Sequence, residues 1–233
     1  IFLNRNSKSD IIKIKRKFKI MHDKLCLRKI IRRVSAVFFA AAILQTVSAT
    51  DYRAEMRNFV QEISEYSKNK KNGFIVIPQN GLELAVSKNS GNAEKAYINS
   101  VDGVGQESII FGYNKDNVRT PKAASEYLAS LCDIFKKHGK RILAIDYCSD
   151  KKFMDSSYEI NMKQGYISFA ASDRLLRTIP AYPESPYNSN AENIINISNA
   201  KNFLYLINGE KFSSKTDFIN AVKNTDYDLV ISD

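Results

Sequence analysis

A parallel α/β fold of the (β/α)8 TIM-barrel type, present only in part, is what the 233-residue sequence predicts. Three observations carry this. Short apolar, β-branched runs alternate with segments of helical period, the pattern of strands joined by crossover helices. Three of the runs end in polar pairs, Gln79-Asn80, Gln106-Glu107 and Asp146-Tyr147, and residues at strand ends of such a sheet gather on one face. No run is followed by G-x-G-x-x-G or G-x-x-x-x-G-K, which disfavours the nucleotide-binding folds of the same class.

The elements follow in order. Tyr52–Lys70 reads as a helix, with Met56, Phe59, Val60, Ile63 and Tyr66 as its apolar face. Gly73–Pro78 is too brief for a helix and reads as a strand buried on both faces, leaving through Pro78-Gln79-Asn80-Gly81. Ile98–Val104 reads as extended, and Gly103 and Gly105 predict a sharp turn before Gln106-Glu107. Thr120 as N-cap and Pro121 at the first position open a helix whose stripe is Ala124, Leu128, Leu131, Cys132 and Phe135. Its end lies in Lys136-Lys137-His138-Gly139.

Arg141–Tyr147 is the third strand, and Phe153–Lys163 the helix that leads to a fourth, Gly165–Ala170. Ile179–Asn190 is loop. A helix over Ala191–Ala200 leads to a fifth strand, Asn202–Ile207, and one over Ser213–Asn224 to a sixth, Tyr227–Asp233. Six parallel strands do not close an eight-stranded barrel, so at least two βα units are expected beyond this sequence. A doubly wound binding protein is the alternative architecture, and it would show an open sheet.

Charge divides the chain. Of 35 Lys and Arg, 12 lie in residues 1–49 with 2 of the 25 Asp and Glu, which leaves residues 50–233 electrically balanced. The footprint of a nucleic-acid binder is therefore missing from the second part. Residues 1–20 read as an upstream extension. From Met21, basic residues, an apolar run Val34–Val47 and Val47-Ser48-Ala49 form the charged, apolar and cleavage regions of a secretory signal peptide. At about 14 residues the run is short of the roughly 20 that span a bilayer. The expected location is secreted or periplasmic, with no membrane association after cleavage. An uncleaved anchor is the alternative. Cys132 and Cys148 remain after the leader, and no Cys/His cluster suggests a zinc site or another cofactor.

Glu107 stands out as an acid at a strand end. Asp102, five residues earlier, lies up to about 17 Å away along an extended chain and is a poor partner for it. Asp146, at the next strand end, is a better one. Phe111, Tyr113 and Tyr147 are aromatic groups near the strand exits, placed either to stack on a ligand or to pack the core and rim.

Five segments in order, M-R-N-F-V-Q-E-I-S (Met56–Ser64), F-I-V-I-P-Q-N-G (Phe74–Gly81), D-G-V-G-Q-E-S (Asp102–Ser108), I-L-A-I-D-Y-C (Ile142–Cys148) and Y-D-L-V-I-S-D (Tyr227–Asp233), resemble glycoside hydrolase family 114. These are secreted barrels of the endo-α-1,4-polygalactosaminidase type. The resemblance implies a polysaccharide substrate and no cofactor. Glu107 matches the family's proposed catalytic glutamate, and Asn80 and Asp146-Tyr147 match strand-end residues of its active face. Gln79, Asn80, Asp146, Tyr147 and Tyr113 are the substrate-positioning candidates.

The strands stand in permuted or tandem order relative to that family. The D-G-V-x-x-D motif, implied to supply its second acid, does not occur in this sequence. Hydrolysis is therefore expected of a longer gene product rather than of this chain alone. A non-catalytic carbohydrate-binding or scaffold barrel is the rival expectation.

Overall fold

The computed structural model describes residues 50–233. The expectations for residues 1–49, an upstream extension and a signal peptide, lie outside the described residues. No helix among the described residues is long and apolar enough to cross a membrane.

Asp51 caps the first helix, α1 (Tyr52–Lys70), its carboxylate accepting from Arg53 N and Ala54 N. The helix is the one predicted, but only part of its expected apolar face turns inward: Val60 packs against the core and Ile63 is half-buried. Met56, Phe59 and Tyr66 are exposed, while Ser64 is buried. Polar ties set the rotation. Arg57 pairs with Glu94, Ser64 Oγ donates to Ser100 O, and Lys68 Nζ donates to Ser100 O and Asp102 Oδ1. The anchors recur seven and four residues apart, which is one helix face.

Residues 74–79 run beside the next strand without forming a regular one. Pro78 has no N–H, and the N–H of Val76 donates to the Asp102 side chain rather than to a carbonyl. What remains is Asp102 N to Val76 O, Gly105 N to Pro78 O, Asn80 N to Gly105 O, and a single parallel bridge from Gln79 to Gly105. The segment is half-buried, with Ile75 exposed, so the expectation of a strand covered on both faces is corrected.

A short helix, α2 (Lys95–Ser100), occupies the start of what was expected to be extended, and β1 is Gly103–Glu107. Gly103 and Gly105 are strand residues, not a turn. A Cβ on Gly103 would stand 2.8 Å from Arg141 O, and one on Gly105 would meet the Gln79 side chain. Close approach, not a sharp bend, explains these glycines. Asp102 holds the strand's start, accepting from Lys68 and Val76 N.

Helix α3 (Lys122–Lys137) begins one residue later than expected, with Pro121 at the cap, and buries Leu131, Cys132 and Phe135. Thr120 Oγ1 donates to Ser108 O instead of capping. Strand β2 (Arg141–Tyr147), helix α4 (Lys151–Lys163, capped by Asp150) and β3 (Ile167–Ala171) follow. The expected helix over Ala191–Ala200 is only a 3-10 turn at Ile197–Asn199. Asn190 and Asn196 side chains accept from Glu192 N and Ser198 N, and this local bonding competes with helix. Strand β4 (Phe203–Leu206), helix α5 (Lys215–Lys223) and β5 (Leu229–Ser232) complete the chain.

The architecture is mixed α/β with parallel sheets. One sheet has the order β1-β2-β3 and the other pairs β4 with β5, all parallel. The rings of Phe169 and Phe203 lie 5.6 Å apart and join the two sheets by side chains. The described strands number five, not six, and they do not close a barrel.

Strand parity sorts the core. Val104, Ile142 and Ala144 pack with Leu131, Cys132, Phe135 and Met154 under α3 and α4. Leu143, Ile145, Tyr147, Ile167 and Phe169 face the other way and pack with Phe203 and Leu204.

Candidate functional site

The site forms at the C-terminal ends of β1 and β2, where the strand ends were expected to converge. Glu107 is the last residue of β1 and is paired in register with Ile145, so its side chain shares the face of Ile145 and Tyr147. Tyr147 Oη donates to Glu107 Oε1 at 2.9 Å. Asn80 meets Glu107 from the other side. Its Oδ1 accepts from Glu107 N at 3.1 Å, and its Nδ2 reaches Oε2 at 3.5 Å. Asn80 adopts a left-handed backbone (φ 60°), as Asn tolerates, and Ser108 (φ 59°) turns the chain just past Glu107.

Tyr147 is held at every polar atom. Its N–H donates to Phe111 O, its carbonyl accepts from Asn117 N at 3.1 Å, and its hydroxyl lies on Glu107. Arg174 stacks over the ring, 3.9 Å from the centroid. Burial, reinforced by the Glu107 charge, pushes the Tyr147 phenol well above the usual tyrosine range, and Arg174 opposes the push. The phenol is therefore a proton-bearing donor at any ordinary pH. Tyr205, on β4, is also raised, by burial first and then by Glu107.

Asp146 does not join this cluster, which corrects its expected role as a substrate contact or a partner acid. Parity turns it to the helix side of the sheet, where it is 0% exposed. Its Oδ1 accepts from Ile110 N and Phe111 N, and its Oδ2 from Ser157 Oγ and Asn161 Nδ2. It ties the segment after Glu107 to α4. Burial holds its carboxyl above the ordinary range against the pull of those four donors.

Gln79 sits at the site's edge, exposed, its side chain lying over Gly105. Tyr113 is exposed and makes no hydrogen bond to Glu107, Asn80 or Tyr147 among the described residues. The structure thus brings Asn80, Glu107 and Tyr147 together, keeps Gln79 adjacent, and turns Asp146 to the opposite face of the sheet. No group of three or more His, Cys, Asp or Glu that could hold a metal occurs among the described residues.

Sequence reasoning missed Arg174 and Tyr205. Arg174 had a signal, because Ser172-Asp173-Arg174 is a polar exit from the fourth expected strand. Tyr205 had none, since an aromatic residue at an inward strand position reads as core.

The arrangement presents a carboxylate at a sheet end with one oxygen bound by a phenol. The second oxygen keeps a single long contact from Asn80, and so stays free to accept or give a proton.

No family model matches the sequence. The chain is 33% identical over 131 residues to an uncharacterized protein of Methanocaldococcus jannaschii, covering 52% of this chain and 36% of that protein. It is 26% identical over 132 residues to an uncharacterized protein of Deinococcus radiodurans, covering 56% of this chain and 40% of that one. The chain therefore spans less than half the length of these relatives. Among solved structures it is similar to the glycoside hydrolase domain of PelA from Pseudomonas aeruginosa. The TM-score is 0.41 at 18% identity, over 55% of this chain and 49% of that one.

Proposed function

We propose that this chain carries one half of a secreted glycoside hydrolase site of the family 114 kind, endo-acting on an α-1,4-linked galactosamine polymer. The observation that carries the reading is Glu107 itself. It is the acid that the D-G-V-G-Q-E-S motif singles out, it ends a parallel strand, and Tyr147 and Asn80 fix it with one oxygen held only by a long contact from Asn80. Glu107 acts as general acid/base toward the glycosidic oxygen. Asn80, Gln79 and Tyr147 position the sugar, with Tyr113 as an outer stacking surface.

Glycoside hydrolysis needs two carboxyl groups, about 5–5.5 Å apart for retention or about 6.5–9.5 Å for inversion. With Asp146 turned to the helix side, the second acid comes from a strand bearing D-G-V-x-x-D, which this sequence does not contain. That same observation favours a second reading for the chain taken alone, a carbohydrate-binding surface without hydrolysis.

The test compares wild type and Glu107→Gln in the longest gene product that contains this sequence, on polygalactosamine and on neutral α-1,4 glycans. Loss of a positioned acid/base is expected to lower kcat by about 10²–10⁴-fold with binding retained. Full activity in the variant removes Glu107 from the mechanism. Binding without cleavage by wild type supports the second reading.

A further inference from the structure

We infer that Arg174 is a positioning residue for Glu107, acting through Tyr147. This rests on the reading of Glu107 as the acid/base.

Tyr147 bonds one Glu107 oxygen, so the rotamer of that phenol decides which oxygen stays open. The backbone near Gly112 and the guanidinium of Arg174 together confine the ring. Gly112 approaches so closely (φ 102°) that a Cβ there would stand 2.8 Å from Tyr147 Cβ. Arg174 stacks on the ring and is itself immobilised, its Nη2 donating to Gly112 O at 2.7 Å and its Nε to Asp116 Oδ1 at 2.6 Å. The contacts link the exits of three strands. Gly112 and Asp116 lie in the segment that leaves β1, Tyr147 ends β2, and Arg174 follows β3.

A surface ion pair between half-exposed side chains contributes little by itself. Here the planar guanidinium matches three partners at once, a ring face, a carbonyl and a carboxylate. A lysine cannot reproduce that set. Arg174 also bears a positive charge against the phenol that donates to Glu107, which favours a strong donor without deprotonating it.

The experiment uses the full chain, with ¹³Cζ-labelled tyrosine and the Tyr147 signal identified by its loss in Tyr147→Phe. Arg174→Met, Arg174→Lys and Asp116→Asn are compared with wild type. All three are expected to move the Tyr147 signal, Arg174→Met most, while Tyr97 and Tyr158 in the helix layer stay in place. In the hydrolytic gene product, Arg174→Met is expected to lower kcat about tenfold with little change in KM, and to shift the pH profile. Arg174→Lys is expected not to restore it.

An unchanged Tyr147 signal in Arg174→Met overturns the inference whether or not hydrolysis is seen. A moved signal with unchanged kcat and pH profile overturns it too. A moved signal in a protein whose wild type cleaves no glycan leaves the clamp standing and removes the catalytic reading instead. Should Arg174→Met fail to fold, Asp116→Asn reports on the same contacts with the arginine in place.

Discussion

Asp146 and Glu107 stand at the same end of neighbouring strands and on opposite faces of one sheet. Glu107 aligns with Ile145, so Asp146, the next residue on β2, must point the other way. On the helix side every lone pair that matters is used, with two backbone and two side-chain donors around a fully buried carboxylate. On the other face one phenol and one distant amide leave a carboxylate unfinished. The difference teaches that an acid at a strand end becomes structural or chemical by parity. A single residue of register separates the two roles.

The comparison breaks hardest at Asp146. Asp146→Leu strands four donors in the core, and a loss of about 3–5 kcal/mol in urea unfolding is expected, as for removing one partner of a buried charge network. Asp146→Asn sharpens the case. The Asn161 Oδ1 has no partner, and a flip of that amide would present it to the new side chain. The cost should therefore be far smaller.

The two proteins should also differ in pH dependence. The carboxyl pKa of Asp146 is raised by burial, so the folded state holds its proton longer than the unfolded chain does. Stability from this group is complete below about pH 3.9 and declines as pH rises through the raised pKa. Unfolding midpoints measured across that interval should show the decline in wild type, and Asp146→Asn should lack it.

Next in size comes Gly112→Ala. The new Cβ would press on Tyr147 Cβ and backbone N at a φ that L side chains rarely adopt. Strain and overpacking together suggest a loss of roughly 2–3 kcal/mol, read by thermal unfolding. The smallest effect belongs to Tyr147→Phe. It deletes one hydrogen bond to a partly exposed carboxylate, and about 1 kcal/mol is expected in the same assay. A loss as large as that of Asp146→Leu would mean that Glu107 is as structural as its neighbour.

Much of this was legible in the sequence, and the misses have physical causes. The periodicity of Tyr52–Lys70 identified a helix. Its inward face was set by Arg57, Ser64 and Lys68 finding Glu94, Ser100 and Asp102, which no local pattern reports. The β-branched run at 74–78 looked like a strand, but Pro78 and the side chain of Asp102 removed half of its ladder. Glu107, Asn80 and Tyr147 were found because polar groups after apolar runs mark strand ends. Asp146 was misjudged because its face follows from register with a strand some forty residues away.

That half-ladder has a dynamic consequence. Between Val76 and Asn80 the chain is fastened to β1 and to Asp102 just before it by three backbone hydrogen bonds and three that involve the side chains of Asp102 and Asn80, against a full parallel ladder from β1 to β3. Few bonds and partial exposure place a segment at the low end of the local unfolding scale. When it lifts, Asn80 goes with it and Tyr147 stays. Glu107 then loses its amide partner while its phenol remains, and the sheet beneath is unchanged. A segment without a full ladder thus forms one wall of the candidate site.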